Sequence, residues 1–382
     1  MATHMPNKRK LIRAATIGTS LGTFLNGSFE ALMDKFDLVL LSSPDEELAE
    51  LHKRYGIKTI GVNMERRIAP MRDLRALLNM IKVFRRERPY MVHSMTPKAG
   101  LLCMMAAWAT RVPRRVHTFT GLVWPTAHGF ARRLLMLTDW ITCACATHVI
   151  PEGKGVMADL QQHITRKPMR VLGHGNVRGV DMDFWSRENV SSHKLAQISD
   201  SSRFTFLFVG RIVRDKGINE LIEAFMEVRK RSRVRLILVG PFEDAIDPVD
   251  DDTKRLIGSC GDIVAAGPQY GTDLPAYYAA SDCFVFPSYR EGFPNTVLEA
   301  GAMGLPSIVT NINGSREIIA DGVNGLIIPA KDSAALAEAM QRMTDDADMR
   351  QRMQAKARPM IASRFEQGYV RQCMLDFYDD IS

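Results

Sequence analysis

The amino-acid sequence predicts an α/β protein made of two doubly wound, Rossmann-like domains that face a central cleft. Short Val-, Ile- and Leu-rich segments alternate with helical patterns along the whole chain, which is typical of parallel sheets covered by helices on both faces. A polar and Gly-rich stretch around residues 171–202 interrupts this alternation, and the same alternation then begins again. The length of 382 residues also exceeds what one hydrophobic core usually includes. Two domains of similar build explain all three observations.

The first half of the chain predicts five strands separated by helices. The first strand is followed by the Gly-rich turn GTSLGT and a helix, and the five strands are KRKLIRAATIG, DLVLLSS, YMVHSM, RRVHTFTG and THVIPEG. Residues 71–89 and 129–142 have the period of amphipathic helices and are rich in arginine. We expect an N-terminal domain of residues 1–190.

The second half repeats the pattern and predicts a C-terminal domain of residues 191–362. Its strands are FTFLFVG, VRLILVG, DIVAAG, CFVFPS, PSIVTN and GLIIPA, with helical segments between most of them. Residues 363–382 are predicted to form a separate C-terminal helix that packs on either domain, with a return to the N-terminal domain as one of the two options. Its predicted apolar face consists of Phe365, Tyr369, Cys373 and Phe377.

The cysteine pattern favours a reduced, cytoplasmic protein. Most of the six cysteines lie in apolar segments, and we expect no secretory leader, because a charged start, an apolar core and a small-residue cleavage site are missing. Cys143, Cys145 and His148 are conceivable metal ligands, but Cys-x-Cys is not the spacing of a structural zinc site. We interpret the two cysteines as buried thiols on an apolar strand. The longest apolar run, Ala99–Ala109, is shorter than the roughly 20 residues that span a bilayer.

Basic residues are concentrated in the first half of the chain. Residues 1–185 contain 27 Lys and Arg against 15 Asp and Glu, a net charge of +12, and the remainder carries −5. An ordinary solvated surface is one interpretation. The basic residues lie beside apolar ones in two helices, however, which favours an anionic membrane surface as a partner. We expect no nucleic-acid binding, because no binding motif accompanies the charge. The arginines concerned are Arg85, Arg86, Arg88, Arg132 and Arg133.

Two carboxylates in the segment PSYREGFPNTVLEAGAMGLPSIVTN indicate a ligand site. A capped and solvated helix explains the stop at Gly304, but not Glu291, which lies in a turn directly before the helix that contains Glu299. Arg211 and Lys216 likewise follow a strand and precede a helix, where cations and free N–H groups can face a diphosphate. Two unrelated surface charges are the alternative interpretation. A glycoside hydrolase would use the carboxylates across a scissile bond and would leave the cations unexplained.

These residues resemble a known family. GRIVRDKGINELIEAF and PSYREGFPNTVLEAGAMGLPSIVT are similar to the donor-site signature of retaining glycosyltransferases of family 4, the glycosyl transferases group 1, which have the GT-B fold. The resemblance covers nearly the whole chain. It implies a nucleotide-diphosphate sugar bound mainly by the second domain and an acceptor bound mainly by the first. HSMTPKAGLL, VHTFTGLVWPT and THVIPEGKGV further resemble enzymes that add sugars to lipid-diphosphate-linked intermediates of bacterial capsule, O-antigen or glycan assembly.

The resemblance implies a set of site residues. Glu291 would accept hydrogen bonds from the donor sugar and Glu299 from the ribose, since a carboxylate accepts two bonds from a diol. The proposed catalytic residues are His117, Arg211, Lys216 and Glu291, and His93 competes with His117 for the role of the active-site histidine. Donor-binding residues include Gly18, Thr19 and Ser20 in the first turn, and Gly210, Arg211, Lys216, Glu291, Gly292, Phe293, Pro294, Asn295, Thr296 and Glu299 in the second domain.

The sequence therefore predicts a retaining, metal-independent glycosyltransferase without a cofactor. We expect it to move a sugar from a nucleotide-diphosphate donor, a UDP-sugar, to a polyprenyl-diphosphate-linked saccharide while attached to the inner face of the bacterial cytoplasmic membrane. Arg211 and Lys216 would stabilise the charge of the leaving diphosphate. Transfer to a soluble acceptor and nucleotide-sugar 2-epimerisation are close alternatives. A membrane-surface binding protein without activity is the alternative of a different class, and a nicotinamide site is disfavoured because GTSLGT is not G-x-G-x-x-G.

Overall fold

The computed structural model describes residues 8–65, 69–244 and 247–382. It divides into two compact units, one formed by the chain up to Gly179 together with Gln367–Ser382, and the other by Val180–Glu366. The second unit begins before the predicted position 191. Val180 is buried, and its amide donates a hydrogen bond of 2.8 Å to the carbonyl of Phe365. The chain thus enters the second unit within the stretch 171–202 that suggested the division, before the predicted first residue 191.

The first unit contains a six-stranded parallel sheet in the order β3-β2-β1-β4-β5-β6. This is the strand order of a doubly wound Rossmann-like sheet. Its strands are β1 (Lys10–Ala14), β2 (Asp37–Ser42), β3 (Lys58–Gly61), β4 (Met91–Met95), β5 (Arg114–Phe119) and β6 (His148–Pro151).

Helices cover both faces of this sheet. Alternate residues of β1 point into different hydrophobic clusters, Ile12 into one and Leu11 into the other, because successive side chains of a strand lie on opposite faces. The Ile12 side packs against α4 (Pro70–Glu87), α5 (Pro97–Ala109), α6 (Gly129–Cys145) and α7 (Lys154–His163). The Leu11 side packs against α1 (Gly18–Leu25), α2 (Phe29–Lys35), α3 (Glu46–Tyr55) and the C-terminal helix α16 (Gln367–Ile381).

The C-terminal helix α16 is part of the first unit. Its buried face differs from the predicted one and consists of Val370, Met374, Phe377, Tyr378 and Ile381. Phe365 instead ends α15 (Ala347–Phe365) in the second unit. The hydroxyl of Tyr378 lies in a buried polar cluster, 2.5 Å from Nδ1 of His93 and within hydrogen-bond distance of the Arg13 guanidinium. This cluster fixes the helix against β1 and β4.

The second unit repeats the architecture. Its parallel sheet has the order β12-β11-β10-β7-β8-β9, the same winding as in the first unit. The strands are β7 (Phe204–Val209), β8 (Val234–Val239), β9 (Ile263–Gly267), β10 (Cys283–Phe286), β11 (Ser307–Thr310) and β12 (Gly325–Ile328). The helices are α8 (Ser192–Ile198), α9 (Ile218–Val228), α10 (Asp251–Ser259), α11 (Leu274–Ala279), α12 (Asn295–Ala302), α13 (Ser315–Ile318), α14 (Ser333–Asp345) and α15.

Three local predictions differ from the structure. The segment predicted as the Gly-rich turn GTSLGT is the start of α1, and the short strand β3 was not predicted. Cys143 and Cys145 lie in the last turn of α6 rather than on a strand. Among the described helices, none combines the length and the apolar character needed to cross a bilayer.

Candidate functional site

The predicted residues of the second unit meet at the carboxyl edge of its sheet. Arg211 follows β7, Lys216 ends a 3-10 turn before α9, and Glu291 lies in the segment that joins β10 to α12. In open parallel sheets, ligands bind outside the carboxyl ends of the strands, where helix N-termini also point. The sequence elements thus place two cations and two carboxylates at the edge where a ligand is expected.

Lys216 and Glu291 form an ion pair. The Lys216 ammonium donates a hydrogen bond to Oε1 of Glu291, and the same oxygen accepts a bond of 2.8 Å from the Ser288 hydroxyl. The two side chains of the pair are only 13% and 16% exposed, so solvent weakens their attraction less than at an open surface. The sequence analysis assigned Lys216 to the phosphate and Glu291 to the sugar, and the structure brings the two side chains together.

Gly217 holds this pair in place. Its φ of +72° is a left-handed conformation, and a Cβ at this position would lie 2.1 Å from the Pro287 carbonyl oxygen, so only glycine fits without strain. The Tyr289 amide adds a hydrogen bond of 2.9 Å to the Asp215 carbonyl. The 3-10 turn that contains Lys216 is therefore fixed directly against the segment that contains Glu291.

Arg211 also has an acidic partner, which the sequence analysis missed. Its guanidinium lies 3.0 Å from Oε2 of Glu243, a residue of the segment that follows β8. The rule that located Arg211, a polar residue just past a strand, applies equally to Glu243 in the sequence PFED. Both cations of the site are thus charge-balanced by carboxylates in this structure.

The start of α12 supplies backbone groups and a buried carboxylate. The amides of Gly292 and Phe293 donate no hydrogen bond to any residue that the structure describes, and Asn295 and Thr296 form the first turn of α12. Helix N-termini favour anions. Glu299 is 6% exposed and accepts a bond of 3.2 Å from the Tyr278 hydroxyl.

The aromatic ring of Phe293 belongs to the core. It is 5% exposed, and its centroid lies 5.3 Å from that of Phe365. The residues from Gly292 to Pro294 are all buried. Phe293 therefore has only its backbone to offer to a ligand.

The position of His117 contradicts its predicted contact with a sugar. The side chain is 1% exposed, and its Nδ1 lies 2.9 Å from the Ser94 hydroxyl within the first unit. Burial lowers the pKa of His117 to about 3, because an apolar environment disfavours the charged imidazolium. A side chain without solvent-exposed surface cannot touch a ligand, so His117 is a structural residue here.

His93, the competing candidate, is equally buried. Its Nε2 lies 2.7 Å from the Thr118 hydroxyl, and its pKa is lowered well below the usual range, first by burial and then by the nearby Arg13 guanidinium. Neither histidine is available at the surface of the first unit.

Gly18, Thr19 and Ser20 form the first turn of α1, where free amides are expected. The Gly18 amide already donates a bond of 2.7 Å to Oδ2 of Asp45. A Cβ on Gly18 would lie 2.2 Å from Oδ1 of the same carboxylate. An acidic side chain of the protein itself therefore lies where the prediction placed a phosphate, which speaks against Gly18 as a phosphate ligand.

The Asp-x-Asp sequences of the chain are its candidates for holding a divalent metal. These sequences lie at 181–183, 250–252 and 346–348. Oδ1 of Asp181 accepts two backbone bonds, Asp250 and Asp252 pair with Arg214 and Arg255, and Oδ1 of Asp346 accepts a bond from the Met349 amide. Over the described ranges, no three His, Cys, Asp or Glu residues are grouped so that they could hold a metal ion. Metal independence stays a prediction.

Two family models match the chain, one in each half. Residues 23–175 match the glycosyl transferase 4-like domain, and residues 192–360 match the glycosyl transferases group 1. The second match includes Arg211, Lys216, Glu291 and Glu299.

Curated relatives and solved structures agree with these models. The chain is 30% identical to the capsular polysaccharide biosynthesis glycosyltransferase CapM of Staphylococcus aureus over 97% of both proteins. It is 27% identical to an Escherichia coli UDP-Gal:alpha-D-GlcNAc-diphosphoundecaprenol alpha-1,3-galactosyltransferase over 74% of this chain and 73% of that protein. The crystal structure of Anabaena Alr3699/HepE in complex with UDP superimposes with a TM-score of 0.79 at 18% identity, over 97% of this chain and all of the other. That structural likeness identifies the two-domain GT-B fold.

Proposed function

The chain belongs to the family of group 1 glycosyl transferases, and on that premise we propose that it is a retaining enzyme that transfers a sugar from a UDP-sugar to a lipid-diphosphate-linked saccharide. The observation that carries this proposal is the cluster at the edge of the second sheet. There, Arg211, Lys216 and the start of α12 can all face one diphosphate.

The ion pairs suggest how the donor enters the site. A diphosphate brings negative charge to Arg211 and Lys216 and competes with Glu243 and Glu291 for them. Glu291, once released by Lys216, can accept hydrogen bonds from the sugar hydroxyls, while Glu299 accepts those of the ribose diol. The exchange leaves both cations paired with an anion and gives Glu291 hydroxyl donors in place of the ammonium, which matters because unpaired charges are costly at poorly solvated positions. Glu243, the more exposed of the two carboxylates, is then hydrated by solvent.

Catalysis would then consist of stabilising the leaving group. As the bond to the sugar breaks, negative charge grows on the diphosphate, and the two cations and the helix N-terminus bind that charge more strongly in the transition state. For retention, the acceptor attacks the same face of the sugar, and a departing phosphate oxygen takes its proton. With His117 buried, this route needs no histidine base.

The names of the relatives support the nucleotide and the acceptor. The Escherichia coli relative is named for UDP-galactose and for a diphosphoundecaprenol-linked acceptor, and the Staphylococcus aureus relative for capsular polysaccharide synthesis. The Anabaena structure contains UDP. These substrates are consistent with the diphosphate-binding chemistry of the site.

Attachment to an anionic membrane is the second part of the proposal. The neighbouring helices α4, α5 and α6 expose large apolar side chains, among them Trp108 at 61%, Phe130 at 80% and Trp140 at 52%. Of the five arginines singled out by the sequence, Arg86 pairs with Glu87 and Arg132 lies over the Trp124 ring. Exposed aromatic and basic residues on one layer of helices are typical of proteins that lie on the interface of a bilayer. We therefore propose a peripheral position on the cytoplasmic face.

A transfer assay tests the function. Purified protein is screened for stabilisation by UDP-sugars, because a ligand that binds only the folded state raises the melting temperature with concentration. The stabilising donor is then incubated with a short-chain prenyl-diphosphate-linked N-acetylhexosamine, and the anomeric configuration of the product is read by NMR. A product whose new glycosidic bond has the anomeric configuration of the donor sugar supports the proposal. Conversion of the donor without acceptor would indicate an epimerase, and equal transfer to a soluble sugar would contradict the lipid acceptor.

The role of Lys216 is tested by Lys216→Ala. We expect kcat to fall by about 100-fold, the usual order for the loss of one group that stabilises developing charge, with a smaller change in KM. The exposed Lys230 of the same unit provides the matched change, Lys230→Ala, which should leave both constants alone. A raised KM at unchanged kcat would show that Lys216 binds substrate and transition state equally.

A further inference from the structure

A cavity of about 530 Å³ opens at the carboxyl edge of the first sheet. Ser43 follows β2, Asn63 and Glu65 follow β3, and the first half of α4 closes the other side. The polar lining residues used below are Asn63, Glu65, Arg72, Arg75 and Asn79. This edge is the place where doubly wound sheets bind ligands, and none of these residues has a role in the donor site of the second unit.

The lining has more free donors than free acceptors. Arg75, Asn63 and Asn79 form no side-chain hydrogen bond or ion pair with any residue in the described ranges, although all three line the cavity. Arg72 is held 2.5 Å from Oε1 of Glu65, so the one carboxylate of the lining is already neutralised. What remains is a guanidinium and two amide groups, a set that suits a phosphate, because guanidinium forms strong charge-assisted bonds to phosphate oxygens.

The helix α4 places an apolar strip beside this polar one. Positions 72, 75 and 79 share one face of the helix, since residues three and four apart lie above each other. Met71, Leu74 and Leu78 repeat that spacing one residue earlier and form the neighbouring strip, and each is at least half exposed. The opposite side of the helix, with Met80 and Phe84, is buried in the core. A ligand in the cavity would therefore find apolar surface directly beside its anionic end.

We propose that this cavity binds the diphosphate of the prenyl-diphosphate-linked acceptor, with Arg75 as its principal contact and the prenyl chain lying over Leu74 and Leu78. This inference rests on the proposed function, and it names the residues that hold the acceptor's lipid end. A free inorganic phosphate would satisfy Arg75 equally well, but it would gain nothing from the apolar strip. The combination of the two strips is what favours a lipid diphosphate.

Isothermal titration with geranyl diphosphate tests the site. UDP is kept at saturation so that Arg211 and Lys216 are occupied, and inorganic pyrophosphate and geraniol are titrated in parallel. Wild type should bind geranyl diphosphate more tightly than either fragment. Arg75→Gln should weaken geranyl diphosphate and pyrophosphate by about tenfold, the loss expected for one charge-assisted hydrogen bond. The double change Leu74→Ser and Leu78→Ser should weaken geranyl diphosphate alone.

The matched control is Arg166→Gln, which removes an exposed arginine of the same unit outside the cavity and should bind as wild type. Equal affinity in wild type and Arg75→Gln, or pyrophosphate binding as tightly as geranyl diphosphate, would overturn the site. The two proposals fail separately. If Arg75→Gln transfers sugar to the lipid-linked acceptor with an unchanged KM, the site is wrong and the function stands. If geranyl diphosphate binding depends on Arg75 but no donor sugar is ever transferred, the site stands and the proposed reaction fails.

Discussion

Pairs of residues, rather than single ones, form the proposed donor site. Lys216 and Glu291 share a hydrogen bond, and Arg211 and Glu243 lie 3.0 Å apart. Sequence reasoning found three of these four residues, because each follows a strand, but it could not find the pairing. Distance between side chains depends on how two separate segments pack, and for Lys216 and Glu291 that packing is set by the close approach of Gly217 to Pro287.

The buried carboxylate of Glu299 gives a prediction on donor binding. Glu299→Ala should weaken UDP by about tenfold or more, because ribose hydroxyls lose their acceptor and the Tyr278 hydroxyl loses a partner. Glu299→Gln keeps one acceptor oxygen and should weaken UDP less. Calorimetric titration of UDP into the three proteins, after their melting temperatures are compared, measures the effect. Equal affinities would remove Glu299 from the nucleotide site.

The burial of His117 gives a prediction on pH. Its pKa is lowered to about 3 in the folded protein, whereas an unfolded chain binds the proton near pH 6.5. Folding stability is therefore fully present above pH 6.5 and falls as the pH drops toward 3, by up to about 1.4 kcal/mol per pH unit for this group. His93 acts in the same direction.

Urea unfolding at pH 7.5, 6.0 and 5.0 checks this slope. His117→Gln should be less stable than wild type at pH 7.5 but should lose less stability on acidification. His128→Gln, at an exposed position, is the control and should follow wild type. If His117→Gln and wild type lose stability in parallel, the imidazole is not the group that titrates.

At the scale of elements, the sequence predicted long and strongly patterned segments well. Residues 71–89 and 129–142 were expected to be helices and form α4 and α6. The strand β3 was missed because it has four residues and only one of them is buried, so it gives almost no alternating pattern. The start of α1 was taken for a turn because of its glycines. Gly18 is there for a different reason: the Asp45 carboxylate leaves no room for a side chain.

Glu87 fixes the end of α4 to the sheet, and this contact is pH-dependent. Its carboxylate lies 2.7 Å from Lys58 of β3 and 3.0 Å from Lys10 of β1. The hydrogen bond from Lys58 is the main cause that lowers the pKa of Glu87 to about 2. Because the folded value lies below the unfolded one, the stabilisation is present above about pH 4.5 and is lost as the pH falls toward 2.

We expect Glu87→Gln to lower the free energy of unfolding by about 2 kcal/mol at pH 7, the size of hydrogen bonds to a charged group. The difference from wild type should shrink as the pH is lowered from 5 to 3. Asp37→Asn removes the other, half-exposed partner of Lys10 and should cost less than about 1 kcal/mol. Denaturant titrations of the three proteins measure these free energies of unfolding. If the difference between wild type and Glu87→Gln stays constant across this pH range, the Glu87 carboxylate is excluded as the cause.

At the scale of the whole molecule, the repeated alternation of strands and helices was sufficient to predict the two-domain α/β fold. Both units have the same winding of six parallel strands. The position at which the chain passes from one unit to the other was predicted later than it lies, because a change of composition marks the polar surface segment 187–202 rather than the first buried residue, Val180. Burial of a single valine leaves no such signal in composition.

The proposed membrane attachment gives a prediction that depends on the distribution of charge over the molecule. Neutralising Arg85, Arg86, Arg88, Arg132 and Arg133 to glutamine should reduce co-sedimentation with phosphatidylglycerol vesicles, because each basic residue near an anionic surface contributes about 1 kcal/mol. Salt should reduce the binding of wild type in the same way. The variant with all five exchanges should still transfer sugar to a short, water-soluble acceptor.

The control for this experiment lies in the second unit. Exchange of five exposed basic residues there should leave sedimentation unchanged; these are Lys230, Arg231, Arg255, Arg352 and Lys356. If wild type stays in solution with the vesicles even at low salt, the basic first half is an ordinary solvated surface. A loss of binding in both sets would point to net charge alone.

The return of the chain to its first unit has a consequence for synthesis on the ribosome. The second unit is continuous, from Val180 to Glu366, whereas the first is completed only by Gln367–Ser382. Domains generally fold as units while the chain emerges. Here the nascent protein has all residues of its second unit before Tyr378 can reach Arg13 and His93. Until residues 367–382 have emerged, the surface that α16 covers stays open to chaperones and proteases, so a chain cut short near residue 366 would have one complete unit and one unfinished one.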